Sequence, residues 1–259
     1  MSLTDIFANG FLRLKIIEST NGGQDTDLNL NLLAFLIYVA CALIGYLFSS
    51  INFAVIISRI YGEDIRSKGS GNAGATNMMR IYGKKASVLT FVGDFLKAVV
   101  ACLICRLLLV GFIGACIAGL FCIIGHAFPV YFGFRGGKGV AVGAAMALCC
   151  DIFVFIIVIA TFLIVVLLSR MISLGSVLAA SMYPLGIFIF RGPGAGFLLA
   201  LISGALIIIL HRQNISRIIK GTERQIKFGS KKKKEKVHEK KIEETGISYH
   251  SEGENDKQE

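Results

Sequence analysis

Residues 111–150 read GFIGACIAGLFCIIGHAFPVYFGFRGGKGVAVGAAMALCC. Two apolar runs, 111–124 and 140–150, flank a stretch of different character. Residues 125–141 hold one His, one Arg, one Lys and five Gly among seventeen positions. Irregular backbone at membrane depth must be buried in protein or face water, because lipid leaves its polar groups without partners. The stretch therefore reads as a loop at the end of two apolar helices.

The core of that loop, Arg135-Gly136-Gly137-Lys138-Gly139, has the composition of an anion cradle. Glycines let backbone N–H groups turn toward a ligand and let it come close. Lys138 supplies a point charge, and Arg135 a fork suited to phosphate or carboxylate. A helix that starts near Gly139 would aim its positive end at the same place. The spacing is not that of a Walker loop, since Gly139 follows the lysine where Ser or Thr would stand. The same residues also suit a glycine-rich turn with basic side chains reaching out of the bilayer.

Outward from this loop the chain repeats the pattern. It has 259 residues, 54% of them hydrophobic, and a mean hydropathy of +0.69. Apolar runs cover residues 28–60, 86–109, 111–124, 140–150, 152–168, 171–190 and 197–210, several near or above the ~18 residues a membrane helix needs. The fold class expected is an all-α integral membrane bundle of about seven transmembrane helices. The domain reading is a polar extracytoplasmic leader at 1–27, a membrane domain at 28–228, and a charged tail at 229–259. From Ser230 onward eight Lys and eight acidic residues alternate, a composition expected to stay disordered, with Lys231 to Lys234 near lipid headgroups.

The net charge of +10 belongs with anionic lipid rather than with nucleic acid, for no aromatic-rich basic module lies outside the apolar runs. With seven spans, residues 61–85, 125–138, the link near 170 and everything from 211 onward share one side. These hold nearly all the Lys and Arg, so the positive-inside rule places them in the cytoplasm, with the N-terminus out and the C-terminus in. The run at 140–150 is short for a crossing. All seven Cys (41, 102, 105, 116, 122, 149 and 150) lie in apolar runs, which reads as packing rather than zinc or disulfide chemistry. Asp94 and Lys97 share one helix face inside the second run, as an internal ion pair or as part of a site.

Two more polar stretches fall on the expected cytoplasmic side. Residues 69–77, Gly-Ser-Gly-Asn-Ala-Gly-Ala-Thr-Asn, put small residues and amide or hydroxyl groups where phosphate oxygens could be ordered, and Arg80 adds a bidentate donor. Ser, Asn and Thr equally favour helix caps. His211 and Asn214 lie three apart at a helix end and share one face; histidine there can donate to phosphate, act as a base or anchor at the interface.

GSGNAGATNMMR, GHAFPVYFGFRGGKGVA and HRQNISRIIKGTE, in that order, resemble the three cytoplasmic motifs of the bacterial acyl-phosphate:glycerol-3-phosphate acyltransferase family (PlsY). The resemblance spans about residues 32–228 and takes in Asp94–Lys97 and Ser173-Leu174-Gly175-Ser176. Gln213 replaces an acidic residue often found in the family. The resemblance implies a seven-helix enzyme of the bacterial cell membrane, its active site facing the cytoplasm. It would move an acyl chain from acyl phosphate to the sn-1 hydroxyl of glycerol 3-phosphate, the first acylation of phospholipid synthesis, releasing lysophosphatidate and phosphate. It implies Ser70, Arg80, Lys138, His211 and Asn214 as catalytic residues. Asn72, Asn77, Gly136, Gly137, Gly139 and Ser176 would bind substrate phosphate, and Glu223 would be structural. No metal and no cofactor is implied. The partners implied are the two substrates, membrane lipids and the enzyme that forms the acyl phosphate.

The chemistry of the residues is compatible with this. A mixed anhydride carries its own leaving group, so positioning and stabilisation of oxyanion and phosphate could supply most of the catalysis. The proton acceptor is open between His211 and a substrate phosphate oxygen. Ser70 as an acylated nucleophile lacks a base in its own motif. The HxxxxD pair of other glycerolipid acyltransferases is absent. The rival class is a transporter of a phosphorylated solute, which would favour internal repeats and a midplane site; no convincing repeat is found. A lipid-binding scaffold would not need the paired Arg80 and Lys138.

Overall fold

The computed structural model describes residues 27–226, with side chains from Leu32 onward except at positions 108 and 109. The leader, but for Asp27, and the charged tail lie outside the described residues. One compact unit runs to Arg224; of a second, beginning at Gln225, the described residues are Gln225 and Ile226, in irregular backbone. Among the described residues all regular structure is helical: α1 (Asp27–Ser50), α2 (Phe53–Ile60), α3 (Ala75–Ile104), α4 (Gly111–Ala127), α5 (Val140–Cys150), α6 (Ile152–Ser169), α7 (Ile172–Arg191), α8 (Ala195–Leu210) and α9 (Arg212–Ile219). Five stretches are long and apolar enough to cross a membrane, and α8 with α9 makes a sixth if their 60° bend is taken within one span. The protein is an integral membrane helical bundle.

The first expected span, 28–60, is broken in two at Ile51-Asn52. Asn52 is the reason on the α2 side, because its Oδ1 accepts the N–H of Val55 at 3.1 Å and caps the new helix. A break at this depth leaves backbone groups that need partners. The buried pair on α3 provides them. Lys97 Nζ donates to Ile51 O at 2.6 Å and to Asp94 Oδ1 at 2.7 Å, and Asp94 Oδ1 accepts the N–H of Phe53 at 3.4 Å. Lys97 Nζ also lies 3.2 Å from His126 Nδ1 on α4. His126 Nδ1 also stands 3.6 Å from Asp94 Oδ1, so the imidazole faces both members of the pair.

The helix α3 is likewise two segments. Gly83 takes φ 80° and ψ −170°, which no helix interior allows. The Ser87 hydroxyl then reaches Ala75 O at 2.9 Å, twelve residues back, where a continuous helix would hold them about 18 Å apart. The segment with Arg80 is thus folded back beside the membrane-entering part, so the basic residues of the first polar stretch stay at one end.

Close helix crossings hold the bundle. A Cβ on Gly45 of α1 would stand 2.3 Å from Ala118 O of α4, and one on Gly125 of α4 equally 2.3 Å from Tyr46 O. Small residues substitute here for a hydrophobic driving force that lipid does not provide. The eleven residues of α5 sit mostly buried among α3, α4 and α6, so neighbours rather than lipid cover them. At the end of α5, Arg106 donates to Cys149 O and to Cys150 O at 2.9 Å. Asp151 caps α6 and pairs with Arg191 at 2.8 Å. That end is the far one from the glycine loops.

Candidate active site

Three polar stretches meet at the near end. Loop 61–74 leaves α2 and is held rigid from within. Asn77 Oδ1 accepts the N–H of Ser70 at 3.0 Å, while its Nδ2 donates to Lys68 O at 3.0 Å and Ile65 O at 3.3 Å. Every polar atom of the buried Asn77 side chain is thus spent on the loop itself, which makes it a clamp rather than a phosphate ligand in this conformation. Ser70 remains exposed and Asn72 half-buried. The guanidinium of Arg66 pairs with Asp64 at 2.7 Å and donates to Phe132 O and, at 3.3 Å, to Arg135 O. It staples the first loop to the second, assisted by Ala73 N–H to Gly136 O at 3.4 Å.

The second loop differs from a free anion cradle in one respect. Gly136 N–H donates to Ala127 O and Gly137 N–H to His126 O, each at 3.0 Å. These glycines cap the C-terminal end of α4, using two of the N–H groups that the sequence suggests for a ligand. They must also be small. A Cβ on Gly137 would lie 2.2 Å from His126 Nε2 and 2.6 Å from Ala73 O, and one on Gly136 would lie 1.9 Å from His126 O. Gly139, at φ 76°, turns the chain into α5, so the unpaired first-turn N–H groups of that helix open beside Lys138.

Lys138 leads into the third stretch. Its Nζ donates to Asn214 Oδ1. Asn214 Nδ2 donates to Ser173 Oγ at 2.6 Å and to Glu223 Oε1 at 2.8 Å, and the Ser173 hydroxyl donates to Glu223 Oε1 at 2.5 Å. Arg217 closes the set with Nε on Glu223 Oε2 at 2.7 Å. Burial pushes the Glu223 carboxyl up, yet the hydrogen bonds from Ser173, Asn214 and Arg217 outweigh it and hold the group below the usual carboxylate range. Burial, reinforced by Arg217 and Arg80 against the opposing Glu223, brings Lys138 down to about 8. Arg80 in turn lies within electrostatic reach of Arg217, Arg224 and Glu223. Four cations thus surround one carboxylate, a local excess of positive charge that a doubly charged phosphate would largely offset.

His211 is buried at the α8–α9 bend, within reach of Lys138 and Glu223. Its Nδ1 stands 2.8 Å from Ile207 O. A carbonyl only accepts, so Nδ1 carries the proton and Nε2 the lone pair. Ser176 is buried one turn below Ser173, its hydroxyl on Ile172 O at 2.9 Å. Beyond it lies a cleft of about 620 Å³ of empty space, lined almost wholly by apolar atoms and bounded by Val140, Ser176 and Ile207 at the basic end.

A family model described as glycerol-3-phosphate acyltransferase matches residues 39–221. The chain belongs to the glycerol-3-phosphate acyltransferase family. Glycerol-3-phosphate acyltransferase of Clostridioides difficile is 41% identical over 202 residues, spanning 75% of this chain and 97% of the relative. That of Coxiella burnetii is 40% identical over 192 residues, 74% of this chain and 99% of the relative. The crystal structure of PlsY, an integral membrane glycerol 3-phosphate acyltransferase, in its glycerol 3-phosphate form superposes with a TM-score of 0.70 at 36% identity, covering 73% of this chain and 96% of the other. Its lysophosphatidic acid form gives 0.68.

Within this glycerol-3-phosphate acyltransferase family chain, the structure gathers Arg80, Lys138, His211 and Asn214 around Glu223, and reaches Ser70 and Asn72 through the backbone contact of the two loops. Ser173, Arg217 and Arg66 are the residues that sequence reasoning left without a role. The spacing of Ser173 and Ser176 held a signal, since they share a face and Ser173 is the one nearer the polar end.

Proposed function

We propose that the protein transfers an acyl chain from acyl phosphate to the sn-1 hydroxyl of glycerol 3-phosphate at the cytoplasmic face of a bacterial cell membrane. The observation that carries this is the junction of two unlike surfaces. The Arg80–Lys138–Arg217 cluster suits phosphate, and an apolar cleft opens directly beneath it, past Ser176 and Val140. Both substrates bring a phosphate, and one brings a long apolar tail. The names of the relatives supply the glycerol 3-phosphate half of the reaction, as said of those proteins.

In the reaction, the sn-1 oxygen attacks the acyl carbonyl carbon and forms the new C–O bond. The bond from that carbon to the phosphate oxygen breaks, and inorganic phosphate leaves with the electron pair. Lys138 and Arg80 stabilise the charge that builds on carbonyl and departing phosphate. The placement of Lys138, through Asn214 and Glu223, supplies proximity. Asn77, Gly136 and Gly137 act by holding the loops, and Gly139 by starting α5. The hydroxyl proton goes to His211 Nε2 or to a substrate phosphate oxygen. His211→Gln separates the two: loss of about 10²-fold or more in kcat marks the histidine as base, and a change confined to KM marks the phosphate.

The deciding experiment supplies purified protein in lipid with glycerol 3-phosphate and one donor at a time: palmitoyl phosphate, palmitoyl-CoA, or the acyl carrier protein thioester. Lysophosphatidate from the acyl phosphate alone is expected. Product from a thioester moves the donor class. No product from folded protein overturns the assignment and directs attention to flux of phosphorylated solutes.

A further inference from the structure

The cleft under the basic cluster has a definite depth, and its walls show what sets it. On α7, Ser176, Ala179, Ala180 and Tyr183 line it, spaced so that one helix face carries all four. Tyr183 therefore lies about 10 Å below Ser176, from seven residues at 1.5 Å rise. The other walls run in the same direction over shorter spans. Chain direction puts Val140 of α5, Phe162 of α6 and Ile207 of α8 at the basic end, and Met146, Val158 and Gly204 of the same helices at the far end. The space between exists because Gly143, Ala144, Ala179 and Ala180 carry little or no side chain there.

Tyr183 is 4% exposed, and its hydroxyl rests on Cys150 Sγ at 3.5 Å, which itself lies 3.5 Å from Cys116 Sγ. The phenol tip is anchored inside the bundle, and Tyr183 lines the cleft at the end away from the basic cluster. We propose that Tyr183 is a specificity-determining residue, the floor that fixes how much of an acyl chain this protein shelters. The inference rests on the acyl-donor reading given above.

The test is an internal competition. Acyl phosphates of graded chain length are supplied together with glycerol 3-phosphate to the full protein in lipid, and lysophosphatidate species are counted by mass spectrometry. For the natural sequence, the specificity constant should climb by up to roughly fourfold per added methylene, then level off where the chain meets Tyr183. In Tyr183→Ala the levelling point moves to longer chains. In Ala180→Leu, which fills the cleft one turn above the floor, it moves to shorter ones, and this variant alone decides if Tyr183→Ala fails to fold. Tyr183→Phe keeps the ring, loses only the contact with Cys150, and leaves the profile in place. A levelling point unmoved in both Tyr183→Ala and Ala180→Leu would place the chain elsewhere. A shift in Tyr183→Phe as large as in Tyr183→Ala would overturn the floor in favour of the hydroxyl contact. An active enzyme with an unmoved profile sinks this inference alone; a protein inactive toward every acyl phosphate sinks the functional assignment with it.

Discussion

Lys138 is held by one hydrogen bond to Asn214 and surrounded by Arg80 and Arg217. Burial with like charges makes its protonated form costly, which is why its pKa falls to about 8. An anion at the site removes that cost. The signs for binding and for stability are therefore opposite. As pH rises through about 8, Lys138 loses its proton and glycerol 3-phosphate should bind more weakly, seen as a KM that climbs with pH. Between about 8 and the ordinary lysine value near 10.4 the unfolded chain binds the extra proton, so this group makes the protein more stable as pH rises. In Lys138→Met activity should be lost and glycerol 3-phosphate binding, read by calorimetry, should no longer weaken as pH rises through about 8, while thermal stability holds or increases; a large stability loss would mean that the charge is structural. Glu223 behaves in the reverse sense. Its lowered carboxyl stabilises the fold above the unfolded carboxylate value, and that support is lost as pH falls through the native one. Glu223→Ala leaves Ser173, Asn214 and Arg217 without their common acceptor and should cost about 2 kcal/mol in chemical unfolding, with Glu223→Gln recovering part. Gly137→Ala should be inactive, since its Cβ meets His126 Nε2 at 2.2 Å and Ala73 O at 2.6 Å. Wild-type turnover in that variant would show that the two loops can part freely.

At the scale of elements, the broken first span explains why charges lie inside the bundle. Asp94 and Lys97 could have been read as a pair that only neutralises itself. Such pairs are often replaced by apolar residues of similar size without loss. Here the pair has a further duty, for Lys97 serves Ile51 O and Asp94 serves the N–H of Phe53. Lys97→Met should cost about 3–5 kcal/mol, because it takes the ammonium from a buried carboxylate. The double variant Asp94→Leu with Lys97→Met removes that charge yet leaves the break at Ile51-Asn52 without partners, and so should remain less stable than the natural sequence. Thermal unfolding in detergent measures both, and a double variant as stable as wild type would reduce the pair to self-neutralisation. The break itself was not legible in the sequence. Residues 28–60 are apolar nearly throughout, and Asn52 marks an interruption without saying whether the helix stops or bends. The same holds for Gly83, whose positive φ cannot be told from a tolerated helical glycine until the contact of Ser87 with Ala75 is seen. Arg66 and Arg217 were two basic residues among many, since pairing across loops depends on which loops meet. Lys138, Asn214 and Arg80 were legible as candidates because each sits in a polar stretch at the end of an apolar run, but that these ends meet is seen only in the fold.

For the whole molecule, the charge distribution bears on the orientation that the sequence suggests. Among the described residues the near end carries Arg59, Arg66, Lys68, Arg80, Lys84, Lys85, Arg135, Lys138, Arg170, Arg212, Arg217, Lys220 and Arg224. The far end carries Arg106 and Arg191, bonded to Cys149 O, Cys150 O and Asp151. Such an imbalance favours a cytoplasmic near end. The difficulty is α5, whose eleven residues cover about 16 Å, half of a hydrocarbon core of about 30 Å. Two facts ease it. Neighbouring helices bury most of α5, and the longer α6 and α7, of 18 and 20 residues, return from and to the same far end. If those two cross completely, the far end reaches the opposite aqueous phase and α5 needs only to join loops that dip toward the bilayer. The seven native cysteines are all buried, so an introduced thiol can report position against a silent background. Lys68→Cys and Ala195→Cys place one at each end, both at exposed positions. A membrane-impermeant maleimide should label the first in inside-out vesicles and the second in right-side-out vesicles. Failure of Ala195→Cys to label from either side, in folded protein, would mean that the far end stops within the bilayer. The short helix would then be a re-entrant wall of the acyl cleft, and the positive-inside assignment would have to rest on α1 and α3 alone.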